Sequence, residues 1–280
     1  MVEIWYALSE RLLPFSWTEH HFMLNALLAV LLVTPLFGML GTMVVNNRMA
    51  FFSDAIGHSA LTGIGIGVIM GLMEPLWAMI LFAIFMALAI SYLKEYTLTS
   101  TDTVIGVFSA VAIALGIVIL SRGGGFNKYS GYLIGDILSI SADEIKLMFI
   151  ISGLFIGYWY YSFNTLMLFS IHPSLARSRG INVRKVELAF VVALAVIVTI
   201  SIQWVGIMII NSLLILPAAA SRNFSANVRQ YHFLAVIISV ISGISGLILS
   251  YYLDTATGAT IVLAAAFLYL LSLLKKQVYG

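Results

Sequence analysis

The sequence contains no cysteine and little charge. The lack of cysteine excludes disulfides, thiolate metal ligands and a cysteine nucleophile. Charged residues make up 9% of the 280 residues and hydrophobic residues 61%, whereas soluble domains carry about a quarter charged residues. No segment has the size of a soluble domain, and the net charge of +2 gives no indication of nucleic-acid binding. The chain is therefore expected to be an integral membrane protein.

Motifs for nucleotide hydrolysis are also absent from the sequence. No Gly-x-x-x-x-Gly-Lys-[Ser/Thr] segment occurs, so an ATP-driven process would need its ATPase on another polypeptide. The glycines at Gly63, Gly65 and Gly67 follow no predicted strand and are interpreted as helix-packing positions. With Ala55 and Ser59, two of them form a stripe of small residues that lets a neighbouring membrane helix approach closely. The sequence thus shows no motif for hydrolase chemistry, and we do not expect an enzyme.

Long apolar segments account for most of the chain. Several approach the length of about 20 residues that crosses a bilayer as a helix, and the shorter ones leave room for a re-entrant segment. The sequence predicts an all-α polytopic membrane protein with eight to nine membrane-spanning helices. The apolar segments are 22–45, 52–72, 75–93, 103–121, 145–162, 186–202, 204–221, 233–252 and 258–274.

Residues 1–21 differ from the rest because they mix aromatic and leucine side chains with acidic residues and histidines. This mixture predicts an amphipathic helix that lies at the membrane interface. It precedes a transmembrane domain, which we place at 22–276. A partial helix is also expected at 132–140, within the outer loop 122–144.

The distribution of basic residues predicts an orientation. Cytoplasmic loops carry an excess of lysine and arginine. With the N-terminus outside and the C-terminus inside, all 14 of these residues lie on the inner side except Arg11, Arg122, Lys128 and Lys146. This orientation requires an odd number of membrane-spanning helices.

The inner loop 163–185 contains a short basic segment, Pro173 to Arg179. Proline in the first turn and Gly180 after the last residue are helix start and stop signals. A short basic helix between two membrane spans has few structural reasons to exist. Docking to a cytoplasmic partner is one of them.

Asp54 and His58 are the candidate site residues. Their i, i+4 spacing places them on one face of a helix, with Thr62 one turn further along. Ionisable groups at membrane depth are costly and are interpreted as functional by default. Imidazole nitrogen and carboxylate oxygen suit Mn²⁺, Zn²⁺ and Fe²⁺. Two ligands make half a site, so the others must come from other helices, a second copy or water; a polar pair that only fixes helix packing is the alternative.

The apolar segment 204–221 contains Asn211, Ser212 and Pro217. Proline removes a backbone hydrogen bond and kinks or breaks a helix. Broken helices line substrate cavities in transporters. Asn211 and Ser212 are therefore candidates for the translocation path, and an ordinary kink explains the proline equally well.

Four stretches of the sequence read, in order, RMAFFSDAIGHSALTGIGIG, YLIGDILSIS, HPSLARSRGINV and VGIMIINSLLILPAAASR. In the same order they resemble the metal-ion permeases of ABC transporters, the ABC-3 family for zinc, manganese and iron. The first stretch, residues 48–67, is the most specific. The resemblance covers nearly the whole chain beyond about residue 22.

This resemblance implies a permease with the fold of the vitamin-B12 importers, the type II ABC importers. It implies a dimer with a second copy or a paralogous permease, and import that is ATP-driven and dependent on a binding protein. The partners would be cytoplasmic ABC ATPase subunits and an extracytoplasmic metal-binding protein. The location would be the cell membrane of a prokaryote.

The resemblance also implies roles for particular residues. Asp54 and His58 match the positions thought to hold the transported ion, which would be Zn²⁺ or Mn²⁺, with Fe²⁺ as a further candidate. No permanently bound cofactor is implied. The segment 169–183 matches the part that couples to the ATPase, and we refer to it as the coupling segment. Its expected coupling residues are Pro173, Leu175, Ala176 and Gly180.

A second function stays open from the sequence. Asp54 and His58 could relay protons in a stand-alone secondary transporter that couples transport to an ion gradient. Both functions need the same two side chains. They differ in whether an ATPase and a binding protein are required.

Overall fold

The computed structural model describes residues 5–6, 15–72, 74–122, 129 and 131–279, and the regular structure of these residues is helical. Single helical turns occur at Ser16–Glu19, Gly131–Ile134 and Ile137–Ser139. The remaining helices, in chain order, are α1 (His21–Asn46), α2 (Phe52–Ile69), α3 (Leu76–Tyr96), α4 (Thr101–Arg122), α5 (Ala142–Ile171), α6 (Pro173–Ser178), α7 (Val183–Val205), α8 (Ile207–Phe224), α9 (Val228–Leu253) and α10 (Thr257–Tyr279).

Eight helices of the described residues are long and apolar enough to cross a membrane. They are α1 to α5, α7, α9 and α10 as far as Leu274. This confirms the predicted all-α polytopic fold, at the lower end of the expected number of spans. The eight do not include α8, which covers most of the apolar segment 204–221. The orientation with the N-terminus outside and the C-terminus inside needs one further crossing and stays a prediction.

The chain divides into two compact units. Unit 1 takes its described residues from Met1–Thr42, Gly135–Leu154 and Ser212–Gly280, and unit 2 from Met43–Ile134 and Phe155–Asn211. The boundaries fall within α1, α5 and α8, so each of these helices contributes residues to both units. The helices α2, α3, α4, α6 and α7 belong entirely to unit 2 and carry most of the candidate site residues.

Small residues bring α2 close to its neighbours in unit 2. A Cβ atom added to Gly63 would lie 2.6 Å from Cα of Met79 in α3. A Cβ atom added to Gly116 of α4 would lie 2.8 Å from the backbone nitrogen of Thr62. These distances are shorter than any normal carbon contact, so only glycine fits at both places. The prediction that the small-residue stripe allows close helix approach is confirmed.

Replacing Gly63 with alanine is expected to destabilise the protein, because the new methyl group would overlap the backbone of α3. Overpacking of this kind costs about 1–3 kcal/mol. Gly106→Ala is the matched control: nothing lies within 4 Å of an added Cβ there, and alanine is the better helix former by about 1 kcal/mol. Thermal stability in detergent measures both variants. Equal stability of the two would contradict the packing role of Gly63.

Unit 1 is held together by contacts of the same kind. A Cβ atom added to Gly246 of α9 would lie 2.4 Å from Cα of Ile261 in α10. The hydroxyl of Ser239 in α9 donates to the backbone carbonyl of Thr34 in α1 at 2.7 Å. Close backbone approach and buried hydroxyl groups therefore stabilise helix packing in this unit too.

The predicted interfacial helix at 1–21 lies mostly outside the described residues. The indole Nε1 of Trp5 donates to the carbonyl of Leu24 at 3.0 Å. The hydroxyl of Tyr6 donates to Oδ1 of Asn25 at 2.6 Å. These two aromatic side chains contact the first turns of α1.

The region 132–140, expected to form one partial helix, contains two separate helical turns instead. The structure has one helical turn at Gly131–Ile134 and a separate 3-10 turn at Ile137–Ser139. Gly135 separates them with a φ of +72°, in the left-handed region that favours glycine. The carboxylate of Asp136 then accepts a hydrogen bond from the backbone N–H of Leu138 at 3.0 Å and starts the second turn.

Candidate functional site

Asp54 and His58 lie near the start of α2, on the same face, as their spacing predicts. Asp54 is in the first turn of the helix, where a negative charge interacts favourably with the helix dipole. The Asp54 side chain is 34% exposed and the His58 side chain 19% exposed. Most other residues of α2 are buried. The pair therefore occupies the part of α2 that the rest of the chain leaves partly open.

The two side chains are close but not hydrogen-bonded. Nε2 of His58 lies 3.6 Å from Oδ1 of Asp54, which is too long for a hydrogen bond. Nδ1 of His58 is buried and has no hydrogen-bond partner among the described residues. A hydrogen bond between the two side chains, by which a polar pair would have only a structural role, is not formed at this distance. The pair presents imidazole nitrogen and carboxylate oxygen atoms, which are ligand types for divalent transition metals.

The described residues contain no group of three or more His, Cys, Asp or Glu side chains that could hold a metal ion. As a metal site, Asp54 and His58 would supply two ligands from one chain. A tetrahedral zinc site uses four. The other ligands would then come from elsewhere: another part of the chain, a second molecule or water.

The start of α8 packs against the same part of α2. The hydroxyl of Ser53 donates to Oδ1 of Asn211 at 2.6 Å. A Cβ atom added to Gly57 would lie 3.3 Å from Cγ2 of Ile207. These pairs follow opposite orders along the chain, so α2 and α8 run antiparallel here. Asn211 is therefore hydrogen-bonded to Ser53, the residue that immediately precedes Asp54.

Thr62 and Ser212 are the other two residues predicted for the translocation path. Thr62 is buried, and its hydroxyl donates to the carbonyl of Ala112 in α4 at 2.5 Å. Ser212 belongs to unit 1, whereas Asp54 belongs to unit 2. Of the three candidates, Asn211 is the one with a hydrogen bond to a residue next to the pair.

The helix interruption occurs at Gly206 and not at Pro217. Pro217 lies within α8, which continues through it. Gly206 separates α7 from α8 with a φ of +86°, a backbone conformation that favours glycine. Sequence reasoning did not single out Gly206 or Ser53. The Trp204-Val205-Gly206 sequence was a local signal for the interruption at Gly206. The only signal for Ser53 was its position beside Asp54.

Comparison with known proteins gives the family. Residues 19–276 match the ABC 3 transport family. The chain belongs to this family. The match confirms the resemblance that the four sequence stretches indicate, and it extends over nearly the whole chain.

Individual relatives within the ABC 3 transport family agree with this assignment. The chain is similar to the high-affinity zinc uptake system membrane protein ZnuB of Haemophilus influenzae, with 33% identity over 253 residues, covering 90% of this chain and 97% of that protein. It is also similar to the manganese transport system membrane protein MntC of Listeria innocua, with 27% identity over 256 residues and 91% of each covered.

A solved structure supports the fold assignment. PsaBC from Streptococcus pneumoniae, in complex with Fab, matches with a TM-score of 0.80 and 25% identity, covering 97% of this chain and 95% of that chain. The predicted permease fold is thereby confirmed. The relatives are membrane components of transport systems, which agrees with the interpretation as a transport component and not an enzyme.

The coupling segment of this ABC 3 family member contains the predicted short helix, α6. It begins at Pro173, and Gly180 follows it with a φ of +77°. The N–H of Gly180 donates to the carbonyl of Arg177 at 3.0 Å, and that of Ile181 to the carbonyl of Ala176 at 3.1 Å. This is the Schellman pattern of a glycine-terminated helix. The start and stop signals in the sequence are confirmed.

The side chains of α6 have different surroundings. Ala176 is fully buried and packs against Phe169 and Val183. Leu175, the residue before it, is 42% exposed. Ala176 therefore attaches the helix to the permease, while Leu175 presents an apolar side chain on an otherwise polar and basic helix.

Proposed function

We propose that this chain is the permease subunit of an ATP-driven, binding-protein-dependent importer of divalent transition-metal ions, with Zn²⁺ or Mn²⁺ as the transported ion. The observation that carries the proposal is the partly open Asp54–His58 pair, whose atoms are not hydrogen-bonded to each other, in a member of the ABC 3 transport family. The zinc and manganese systems named among the relatives support the choice of ion.

The ligand types restrict the ion further. Mg²⁺ and Ca²⁺ prefer sites made only of oxygen, so an imidazole ligand favours later divalent metals. Cu⁺ is favoured by thiolate and thioether sulfur, and the Asp54–His58 pair offers neither. Zn²⁺, Mn²⁺ and Fe²⁺ all accept one imidazole and one carboxylate. His58 is thus the residue that separates transition metals from the abundant alkaline-earth ions.

A second permease is proposed to complete the metal site. Two copies related by a twofold axis present the same surface to each other. Two Asp54 and two His58 side chains would then give the four ligands of a tetrahedral ion. The 34% exposure of the Asp54 side chain supports this, because the face that carries it is incompletely covered within one chain. A paralogous permease with the same pair would serve equally.

The remaining partners follow from the chemistry that the chain lacks. It has no phosphate-binding motif, so ATP hydrolysis is assigned to separate cytoplasmic ABC ATPase subunits. The coupling segment 169–183 is proposed to dock on them through the exposed face of α6. An extracytoplasmic binding protein would deliver the ion from the other side of a prokaryotic cell membrane.

Single cysteines test the proposed orientation in this cysteine-free chain. Ser174 and Asp143 are both exposed and are assigned to opposite sides of the membrane. In intact cells, an impermeant thiol reagent is expected to label Asp143→Cys and to leave Ser174→Cys unlabelled until the membrane is permeabilised. Labelling of Ser174→Cys in intact cells would contradict both the orientation and the docking of α6 to a cytoplasmic ATPase.

The experiment that tests the proposed function is ion uptake by proteoliposomes that contain the permease and its ATPase. Uptake of radioactive Zn²⁺ or Mn²⁺ is expected only when ATP and the binding protein are both supplied. A proton gradient without ATP is expected to drive no uptake. Uptake driven by the gradient alone would contradict the proposal and support the proton-relay transporter.

A further inference from the structure

Two ion pairs join the end of α3 to the start of α7 in unit 2. Lys94 and Glu187 form the first, and their side chains are only 19% and 12% exposed. In the second, Nε of Arg184 lies 3.6 Å from Oε2 of Glu95. The Arg184 guanidinium carbon also lies 5.8 Å from the ring centre of Tyr92. These charged side chains belong neither to the Asp54–His58 pair nor to the exposed face of α6.

The Lys94–Glu187 pair is the more deeply buried of the two. Burying two charges has a large desolvation penalty, and apolar residues of similar volume often serve a fold equally well. Breaking such a pair is strongly unfavourable, because the remaining charge is left without compensation. The pair therefore strongly favours one relative position of α3 and α7.

The start of α7 is attached directly to the coupling segment. Val183, the first residue of α7, packs with Ala176 of α6 and with Phe169. Glu187 follows Val183 at the i, i+4 spacing, one helical turn further along the same face. A displacement of α6 would thus reach Glu187 through one turn of regular helix.

The other partner, Lys94, lies in α3. This helix packs against α2, which carries Asp54 and His58. At Gly63, α2 and the backbone of α3 approach so closely that a Cβ atom would lie 2.6 Å from Cα of Met79. The two backbones are therefore in direct contact at this point. The contacts therefore run from α6 through α7 and α3 to α2, which carries Asp54.

We propose that the Lys94–Glu187 ion pair is a positioning contact for transport, which makes the coupling segment, α7 and α3 move as one body. Through it, an ATP-driven displacement of α6 would reach the helix that carries Asp54 and His58. This inference rests on the proposed function. Neither residue touches the ion; both act by fixing how one helix follows another.

The test uses the complete complex of permease, ATPase and binding protein in proteoliposomes, with Zn²⁺ and Mn²⁺ as probes. The measured quantity is the number of ions transported per ATP hydrolysed, which does not depend on the amount of folded complex. Lys94→Gln and Glu187→Gln are each expected to lower this ratio about fivefold or more, the usual lower range of a coupling between sites. ATP hydrolysis itself is expected to continue.

Two double variants separate coupling from folding. The exchange of charges, Lys94→Glu with Glu187→Lys, is expected to return the ratio to within about twofold of the original, because residues in contact are not additive. Lys94→Met with Glu187→Leu removes both charges of the pair, so neither is left buried without a partner, and the complex is expected to assemble normally. Its ratio of ions to ATP is still expected to be lowered. This variant carries the test if the single variants fail to assemble.

The matched control is Lys146→Gln, which removes an exposed ion pair with Asp143 in unit 1 and is expected to leave the ratio unchanged. An unchanged ratio in the assembled variants of Lys94 and Glu187 would overturn the inference and leave the proposed function intact. A charge-exchange variant whose ratio of ions to ATP is as low as in the single variants would also overturn the inference. A complex with the original sequence that shows no ATP-dependent uptake would instead overturn the proposed function, and this inference with it.

Discussion

Asp54→Asn is expected to abolish uptake of every divalent ion tested, with a loss of about 100-fold or more. Asparagine keeps the shape of the side chain and one oxygen ligand, but it removes the charge that offsets a divalent cation. Changes to groups that only orient metal ligands already lower affinity about 10–100-fold, so loss of a ligand's charge should do at least as much. Uptake of Zn²⁺ and Mn²⁺ at matched expression measures the effect.

His58→Gln is expected to distinguish between ions. Glutamine is polar but lacks the nitrogen donor that later transition metals prefer, and Mn²⁺ accepts oxygen ligands more readily than Zn²⁺ does. Uptake of Zn²⁺ should therefore fall more than uptake of Mn²⁺. A proton relay needs both residues but predicts no such difference between metals.

The control for both variants is Ser59→Ala in the same helix. Ser59 is buried, and its hydroxyl donates to the carbonyl of Ile56 within α2, so alanine should fit and transport should be nearly unchanged. Equal losses of both ions in His58→Gln would contradict the proposed selectivity. Uptake close to the original level in Asp54→Asn and His58→Gln would remove the site.

Leu175→Ser is expected to uncouple the permease from its ATPase. Fully burying an exposed leucine side chain is worth about 2 kcal/mol. Because Leu175 is apolar and 42% exposed, a partner that covers α6 would gain about 1 kcal/mol, which corresponds to roughly fivefold in affinity. The ATPase should therefore co-purify poorly with the variant, and ion uptake should fall by a similar factor while the permease stays folded.

Two further variants of α6 serve as controls. Ser178→Ala removes an exposed hydroxyl that bonds to the Leu175 carbonyl and should leave co-purification unchanged. Ala176→Leu should instead lower thermal stability, because Ala176 is fully buried against Phe169 and Val183. Normal co-purification and uptake with Leu175→Ser would show that α6 is only a connector between two membrane spans.

The features that the sequence predicted correctly depend on local spacing. Asp54 and His58 share a face because i, i+4 residues do so in any α-helix. The bounds of α6 follow from Pro173 and Gly180, whose backbone preferences do not depend on the rest of the fold. The membrane spans follow from the length and composition of the apolar segments.

The features that the sequence did not predict depend on packing between distant segments. The hydrogen bond from Ser53 to Asn211 joins residues 158 positions apart, so it exists only because α8 lies against α2. The Lys94–Glu187 pair likewise joins two separate helices. Gly206 was missed because proline is the stronger local signal for a helix break, yet Pro217 is accommodated within α8.

The most direct test of the central claim is X-ray absorption at the zinc edge of the purified permease loaded with Zn²⁺. If Asp54 and His58 hold the transported ion, the spectrum should show imidazole nitrogen at about 2.0–2.1 Å together with carboxylate oxygen. The imidazole contribution should disappear in His58→Gln. A zinc ion surrounded only by water oxygen, or an imidazole contribution that survives in His58→Gln, would contradict the account.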